Sequence, residues 1–324
     1  MRPFTYVQAT AVRDAVAGVA NRPGAAFVSG GTDLINLMKD GAQVHDHVVD
    51  INALPLSDVD VEPELIRLGA LARMRDVAEN PDVRSRIPVV AEALLASASP
   101  QVRNVASIGG NLLQRTRCGY FRDTGMPCNK REPGTGCPAL TGENRWHAVL
   151  GGSEQCIAVM PSDLAVALLA LEATVLTAGP DGERRVPLGE FYLLPGDTPH
   201  RENVLGHGEL IVGVEVPTTP FAARSRYLKV RDRATFEFAV VSVAAAVELR
   251  GGQVQDVRLA FGGIATRPWR AVDAEAALRG NQLTDDVLVK AAEQAVRGAT
   301  PREHNAFKTE LAQRAVIDVL RGLR

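Results

Sequence analysis

The chain of 324 residues contains 46% hydrophobic and 23% charged residues, a composition typical of a globular protein with a substantial core. Its length favours two or three domains. The net charge of −2 supplies no basic field for nucleic acid and no polybasic patch for a membrane surface, so we expect neither partner. No apolar run suits a signal peptide or a membrane-spanning helix. These features predict cytoplasmic synthesis without membrane insertion.

The first part of the chain predicts a strand, a glycine turn and a helix in succession. A short strand at 4–7 and a helix capped by Thr10 precede an apolar strand at 25–28. The turn SGGTD at 29–33 follows, and Leu34 begins a helix. Two glycines let backbone approach a ligand, and N–H groups at a helix start point towards phosphate oxygens. A plain connection that needs positive φ explains the same turn, and the lack of G-x-G-x-x-G disfavours a Rossmann fold.

A second glycine turn, SIGGN at 107–111, raises the prospect of one pyrophosphate site shared by both turns. Further on, PSD at 161–163 opens an alanine- and leucine-rich helix at 164–171. Asp163 suits the first turn of that helix and would by itself be interpreted as its cap. Three more strands are expected in this half, at 155–160, 174–177 and 210–216.

One segment, residues 114–156, holds every cysteine of the chain: Cys118, Cys128, Cys137 and Cys156. Their spacing is C-x9-C-x8-C-x18-C, without the close pairs usual in structural zinc sites. Four thiolates suit either zinc or an iron–sulfur cluster. The segment is rich in glycine, proline and arginine, as expected of a loop around an anionic cluster. Two disulfides or free thiols are the alternatives, and the spacing alone leaves all of these open.

The last third predicts a sheet backed by helices, an α+β arrangement. Gly251-Gly252 is the expected hairpin turn between two strands. Strands with period two are expected at 227–230, 238–249 and 254–261. Helices with period 3.6 follow at 271–278, 284–296 and 306–320.

Several motifs together resemble a known family. The turns at 29–33 and 107–111, PSD at 161–163, ELI at 209–211 and YLK at 227–229 occur in the order found in the FAD-binding subunits of the xanthine oxidase and carbon monoxide dehydrogenase family of molybdenum hydroxylases. The resemblance covers nearly the whole chain. The cysteine segment is an addition to the family's usual pattern.

The resemblance implies the fold class and the domains. We expect an α+β protein whose residues 1–218 form a two-part FAD-binding domain of the PCMH and CO dehydrogenase flavoprotein type. Residues 114–156 would be an iron–sulfur loop inserted in it, and residues 223–324 a CO dehydrogenase flavoprotein-like C-terminal domain.

The cysteine segment is similar to one subgroup in particular. RTRC at 115–118, CNKR at 128–131 and GTGC at 134–137 look like the flavin subunit of bacterial periplasmic aldehyde oxidoreductases. The 4-hydroxybenzoyl-CoA reductases are the other group with an inserted [4Fe-4S] loop. The resemblance implies that the four cysteines bind one [4Fe-4S] cluster.

Roles in FAD binding are likewise implied by the resemblance. The pyrophosphate would be wrapped by the first turn and its flanks: Phe27, Val28, Ser29, Gly30, Gly31, Thr32, Asp33 and Leu34. The second turn would complete that site: Ser107, Ile108, Gly109, Gly110 and Asn111. Asp163 would accept a hydrogen bond from the FAD sugar or linker hydroxyls, and Ile211 would pack near the ring.

Two further residues carry an alternative interpretation. Lys229 would lie close to the isoalloxazine, where a cation favours the anionic reduced flavin; otherwise it is a strand lysine that reaches solvent. Tyr192 would shield the flavin face; otherwise it is a buried aromatic with a bonded hydroxyl.

The function implied is that of an electron-transfer subunit of an aldehyde oxidoreductase, with no catalytic residue in this chain. A large partner would hold the molybdopterin cofactor, and a small partner two [2Fe-2S] clusters. Their electrons would pass through FAD to an external acceptor. The rivals are a 4-hydroxybenzoyl-CoA reductase-like subunit and a zinc-stapled scaffold without flavin. Co-export with a signal-bearing partner would make the chain periplasmic; the alternative is cytoplasmic.

Overall fold

The computed structural model describes residues 1–324. A small parallel sheet forms first, in the order β1-β3-β2. All four residues of its central strand are buried, because that strand pairs on both sides and lies under the crossover helices. The elements are β1 (Thr5–Gln8), α1 (Val12–Ala20), β2 (Ala25–Val28), α2 (Leu34–Asp40) and β3 (His47–Asp50).

A five-stranded antiparallel sheet comes next, in the order β4-β5-β8-β6-β7. Its strands are β4 (Val59–Val61), β5 (Leu65–Gly69), β6 (Thr174–Gly179), β7 (Gly182–Pro187) and β8 (Leu210–Pro217). Helices between β5 and β6 are α3 (Met74–Glu79), α4 (Pro81–Arg86), α5 (Pro88–Ala96), α6 (Pro100–Arg103), α7 (Ile108–Leu112), α8 (Gly119–Arg122) and α9 (Asp163–Ala170); α10 (Leu188–Phe191) follows β7. Every residue of α9 is buried, as its uniformly apolar sequence requires.

The C-terminal sheet is antiparallel, in the order β12-β11-β10-β9. Val243 and Val247 pack on the terminal helices, whereas Ala244 and Ala246 belong to the core around α5 and α9. Helices on both faces explain why its central strands are apolar throughout. The elements are α11 (Pro220–Ala223), β9 (Ser225–Val230), β10 (Val241–Arg250), β11 (Gln253–Gly262), β12 (Trp269–Arg270), α12 (Val272–Leu278), α13 (Asp285–Ala295) and α14 (Phe307–Arg321).

The α+β fold is confirmed, with local corrections. The segment predicted as a strand at 155–160 is irregular, and Thr10 caps no helix. Ser162, not Asp163, caps α9, because its side chain accepts the N–H of Ala165. The second glycine turn is the start of α7. No helix combines the length and apolar character needed to cross a bilayer.

Candidate functional site

A cavity of about 820 Å³ is lined by residues of all three sheets, a size usual for cofactor sites. Almost all the predicted flavin-binding residues lie on its wall: Phe27, Val28, Ser29, Gly30, Gly31, Thr32, Asp33, Leu34, Ser107, Gly109, Gly110, Asn111, Asp163, Ile211 and Lys229. Ile108 does not line the cavity, because it is fully buried in the central core.

The first glycine turn is shaped by two different requirements. Gly31 has φ of +68°, which favours glycine. A β-carbon at Gly30 would instead overlap the carbonyl oxygen of Val105, so this glycine allows close backbone approach. Arg73, which the sequence did not indicate, donates to Val105 O at 2.7 Å and to Ser29 Oγ at 3.3 Å. The turn is therefore held against the segment that leads to α7.

The start of α7 lines the same cavity, and its first N–H groups are bonded within the protein: those of Ile108 and Gly109 donate to Ala72 O and Ala70 O at 3.1 and 2.8 Å. Ser107 caps the helix, since its Oγ accepts the N–H of Gly110 at 3.3 Å. A β-carbon at Gly110 would meet only that oxygen, at 3.0 Å. Asn111 Oδ1 accepts a hydrogen bond from Ser162 Oγ at 2.6 Å, which ties α7 to the start of α9.

Asp163 and Lys229 form a buried ion pair on the cavity wall. Lys229 Nζ lies 2.7 Å from Asp163 Oδ2, and their side chains are 3% and 6% exposed. Tyr227 and Ser97 donate to the same carboxylate at 2.6 and 2.9 Å. A carboxylate has about four acceptor positions, so the protein leaves room for about one more donor. Lys229 also donates to Ala96 O at 3.1 Å, so the interpretation as a solvent-reaching strand lysine is wrong.

Asp33 connects the cavity to the cysteine segment. Its carboxylate accepts the Arg115 N–H at 2.7 Å and pairs with Arg117 at 2.6 Å and Arg122 at 2.9 Å. These three donors belong to the loop, so the Asp33 side chain anchors the loop to the first glycine turn. Burial lowers the pKa of the Arg117 guanidinium from its ordinary value, against the attraction of Asp33.

The four cysteines are free thiols that line one small void together with His147. His147 Nε2 lies 3.1 Å from Cys118 Sγ, and the Ala158 N–H donates to Cys156 Sγ at 3.4 Å. The void measures about 10 Å³, too small for much more than one water molecule. No group of three or more His, Cys, Asp or Glu side chains is arranged to hold a metal ion. The donor set suits an iron–sulfur cluster, but the sulfurs must part to admit it.

Asn129, a residue that sequence reasoning passed over, brings three of the cysteine segments together. Its side chain accepts the Gly136 N–H at 2.7 Å and donates to Gln155 Oε1 at 2.9 Å. These three residues directly precede or follow Cys128, Cys137 and Cys156. Its position immediately after a cysteine in a turn-rich loop was the available signal, because asparagine readily bonds nearby backbone.

The thiols differ in proton affinity. Burial raises the pKa of Cys118 to about 11. A hydrogen bond from the Cys156 thiol to the Cys137 sulfur raises the pKa of Cys156 and lowers that of Cys137. All four must lose their protons to ligate a metal.

The structure corrects the prediction for Tyr192 and adds two phenylalanines to the cavity wall. Tyr192 lies off the cavity and donates its hydroxyl to Leu112 O at 2.9 Å, so it is the buried, bonded aromatic and not a flavin shield. The connection between β9 and β10 instead places Phe236 and Phe238 on the cavity. Phe236 has φ of +52°, and Arg117 lies over the Phe238 ring at 4.8 Å. The presence of two phenylalanines in a mostly polar connection was the sequence signal for this part of the cavity wall.

Two family models match nearly the whole chain. Residues 2–219 match the FAD binding domain in molybdopterin dehydrogenase. Residues 226–323 match the CO dehydrogenase flavoprotein C-terminal domain. The chain therefore belongs to the FAD-binding medium subunits of the xanthine oxidase family of molybdenum hydroxylases, as its motifs predicted.

Individual relatives show which enzymes of this family have subunits similar to this chain. The chain is 46% identical over 327 aligned positions to the aldehyde oxidoreductase FAD-binding subunit PaoB of Escherichia coli (strain K12), covering 100% of this chain and 99% of that protein. It is 28% identical to the glyceraldehyde dehydrogenase medium chain of Sulfolobus acidocaldarius, covering 88% and 84%. Among solved structures, carbon monoxide dehydrogenase from Hydrogenophaga pseudoflava matches with a TM-score of 0.78 and 27% identity, covering 99% and 97%. The chain is thus an oxidoreductase subunit with a flavin-binding fold.

Proposed function

We propose that this chain is the FAD- and [4Fe-4S]-binding electron-transfer subunit of a molybdenum-dependent aldehyde oxidoreductase. The observation that carries the proposal is the convergence of four free thiols on one void beside the flavin-type cavity. The 46% identity to an aldehyde oxidoreductase subunit along the full chain supports the substrate class.

Different cavity residues would hold different parts of FAD. The backbone of the turn at 29–33 would hold the pyrophosphate through its N–H groups, and the glycines at the start of α7 would let the ligand lie close to that backbone. Bound flavin would supply one-electron and two-electron exchange between the partner's [2Fe-2S] clusters and an external acceptor. Lys229 is paired with Asp163 at 2.7 Å, so it would present an ion pair, and not an uncompensated charge, to a bound ring.

The cluster is tested by iron and acid-labile sulfide per flavin in four single variants, with Ser replacing Cys118, Cys128, Cys137 or Cys156. We expect each to lose most of its iron while FAD is retained, because thiolates are the ligands of such clusters. The matched control is Thr124→Ser, an exposed position in the same loop, which should keep full iron. A cysteine variant with full iron removes that residue from the ligand set. Stoichiometric zinc in the wild-type protein would refute the electron-transfer role of the loop.

The reaction is tested on the assembled complex with the large molybdopterin subunit and the small [2Fe-2S] subunit. Flavin bleaching on addition of an aldehyde is the expected result, since electrons should arrive from the partner clusters. Bleaching that fails with aldehydes, with electron flow instead towards a CoA thioester, would favour the 4-hydroxybenzoyl-CoA reductase-like alternative. The names of the relatives, as subunits and medium chains, support such a complex.

We also propose a periplasmic location reached by co-export with a signal-bearing partner. The support is the resemblance of the cysteine loop to that of periplasmic aldehyde oxidoreductases. Cell fractionation should find this chain in the periplasm only when its partners are co-expressed. Periplasmic protein from the chain expressed alone would contradict co-export.

A further inference from the structure

Three ionisable side chains other than the cysteines line the void between the four thiols: Tyr120, Lys130 and His147. His147 Nε2 lies 3.1 Å from Cys118 Sγ, and its Nδ1 is buried without a hydrogen-bond partner. In a neutral imidazole one ring nitrogen carries the proton and the other a lone pair. A buried N–H without a partner is rarer than a buried lone pair without one. The proton therefore belongs on Nε2, where it points at sulfur.

The backbone of His147 is held from both sides. Its N–H donates to Asn144 O at 2.9 Å. Its carbonyl oxygen accepts from Lys308 Nζ at 3.1 Å and from Asn305 Nδ2 at 3.4 Å. Both donors lie at the start of α14 in the C-terminal domain, so that domain fixes the place of a residue in the cysteine loop.

Lys308 has no carboxylate partner, which is unusual for a buried lysine. It is fully buried, and its Nζ donates to Gly263 O at 2.7 Å as well as to His147 O. A buried amino group that donates to two carbonyl oxygens resists displacement, because its departure would leave both oxygens buried without this donor. The backbone of His147 is accordingly held in place.

We propose that His147 is a positioning residue of the iron–sulfur site, donating its Nε2–H to the Cys118 sulfur, with Lys308 and Asn305 holding its backbone in place. The inference rests on the proposed function, because the acceptor is the Cys118 thiolate of a bound cluster. Hydrogen bonds to cluster sulfurs stabilise the added negative charge of the reduced state and raise the reduction potential. His147 thus sets how readily the cluster accepts an electron.

The test compares the cluster midpoint potential of the assembled complex in three variants. His147→Phe removes the donor, and we expect reduction to become about tenfold less favourable, a shift of about 59 mV to lower potential for one electron. His147→Gln can still donate and should stay close to wild type. His304→Phe is the matched control, since His304 contacts Gly142 O and no cysteine. An unchanged potential in His147→Phe, with full iron, overturns the inference.

Lys308→Met tests the second half of the proposal. It should shift the potential in the same direction by a smaller amount, and it should add nothing in the His147→Phe background, because it acts through His147. An equal further shift in the double variant would refute this positioning role.

A measurement on the wild-type complex tests the inference even if the variants fail to fold. Electron–nuclear double resonance on the reduced cluster, with ¹⁵N-labelled histidine, should detect an exchangeable proton and a histidine nitrogen; their absence overturns the inference. If the wild-type protein contains no cluster, the proposed function itself fails. A cluster without the histidine signal leaves that function intact and refutes only the role of His147.

Discussion

The wall of the flavin-type cavity comes from all three sheets, whereas the cysteine loop is one continuous segment with only two short helical turns, at Gly119–Arg122 and Pro138–Leu140. The cavity keeps its shape through regular elements and through satisfied groups such as the Asp163 carboxylate. The loop depends on side chains that bond backbone, as when Arg131 donates to Tyr120 O and Phe121 O at 3.0 and 2.7 Å.

This contrast separates a preformed site from one that its ligand must complete. The cavity already encloses about 820 Å³, whereas the loop leaves about 10 Å³ between its thiols. His147 Nδ1 is buried there without a partner. Metal binding to such a loop is coupled to its ordering. Substitutions should therefore damage the cavity through packing and the loop through ligand loss.

The largest effect is expected at Gly30 on the cavity side. Gly30→Val places a branched side chain where even a β-carbon overlaps Val105 O. Backbone must move, so we expect flavin-free protein of much reduced stability. Flavin absorbance per chain and the melting temperature measure both. Gly110→Ala is the control, because its β-carbon meets only Ser107 Oγ, at 3.0 Å; if both variants keep full flavin, the two turns do not form the cofactor site.

The sequence predicted that the turn glycines allow close approach of backbone to a ligand or supply positive φ. Positive φ holds for Gly31 but not for Gly30. Gly30 is required by contact with Val105, 75 positions further along the chain, and local sequence does not encode such long-range approach. The order of the motifs revealed the family and hence the fold, because each motif is a short pattern of neighbouring residues.

The burial of Lys229 is a second feature that local sequence does not encode. A lysine in an alternating strand is consistent with an exposed position, and only the packing of β9 on α5 and the ion pair with Asp163 bury it. The cysteine set could be located by composition, but its supports could not. Asn129 and Lys308 act through hydrogen bonds to backbone carbonyl and N–H groups of other segments, and residue type alone does not predict such bonds.

Lys229→Ala should have the next largest effect. It tests whether the buried ion pair with Asp163 stabilises the cavity wall. Removing one partner leaves Asp163 buried and charged, so we expect a loss of about 3–5 kcal/mol in unfolding free energy. Thermal unfolding of the flavin-loaded protein measures it. The Lys229→Ala, Asp163→Ala double variant should lose less than the sum of the single variants, by up to about 3 kcal/mol. Strict additivity would show that the two groups do not interact.

Lys308 probes the support of the cysteine loop through pH. Burial lowers its pKa from 10.5 to about 7. Between these values the unfolded chain binds the proton and the folded chain does not, so stability rises with pH across that window and is flat below it. The wild-type protein should gain about 2 kcal/mol relative to Lys308→Met between about pH 7.5 and pH 9. Parallel stability curves for the two proteins would mean that Lys308 is charged throughout.

The smallest effect is expected at Tyr192, which lies between the two regions. Its hydroxyl donates to Leu112 O, at the end of the helix that lines the cavity and just before the cysteine loop begins. Tyr192→Phe keeps the ring packed edge-on against Phe191 and removes one buried hydrogen bond, so we expect a loss of about 1 kcal/mol. Because the ring does not line the cavity, the flavin spectrum and potential should be unchanged. A shifted flavin potential in this variant would restore the tyrosine to the cofactor site and would show that the cavity wall extends to α10.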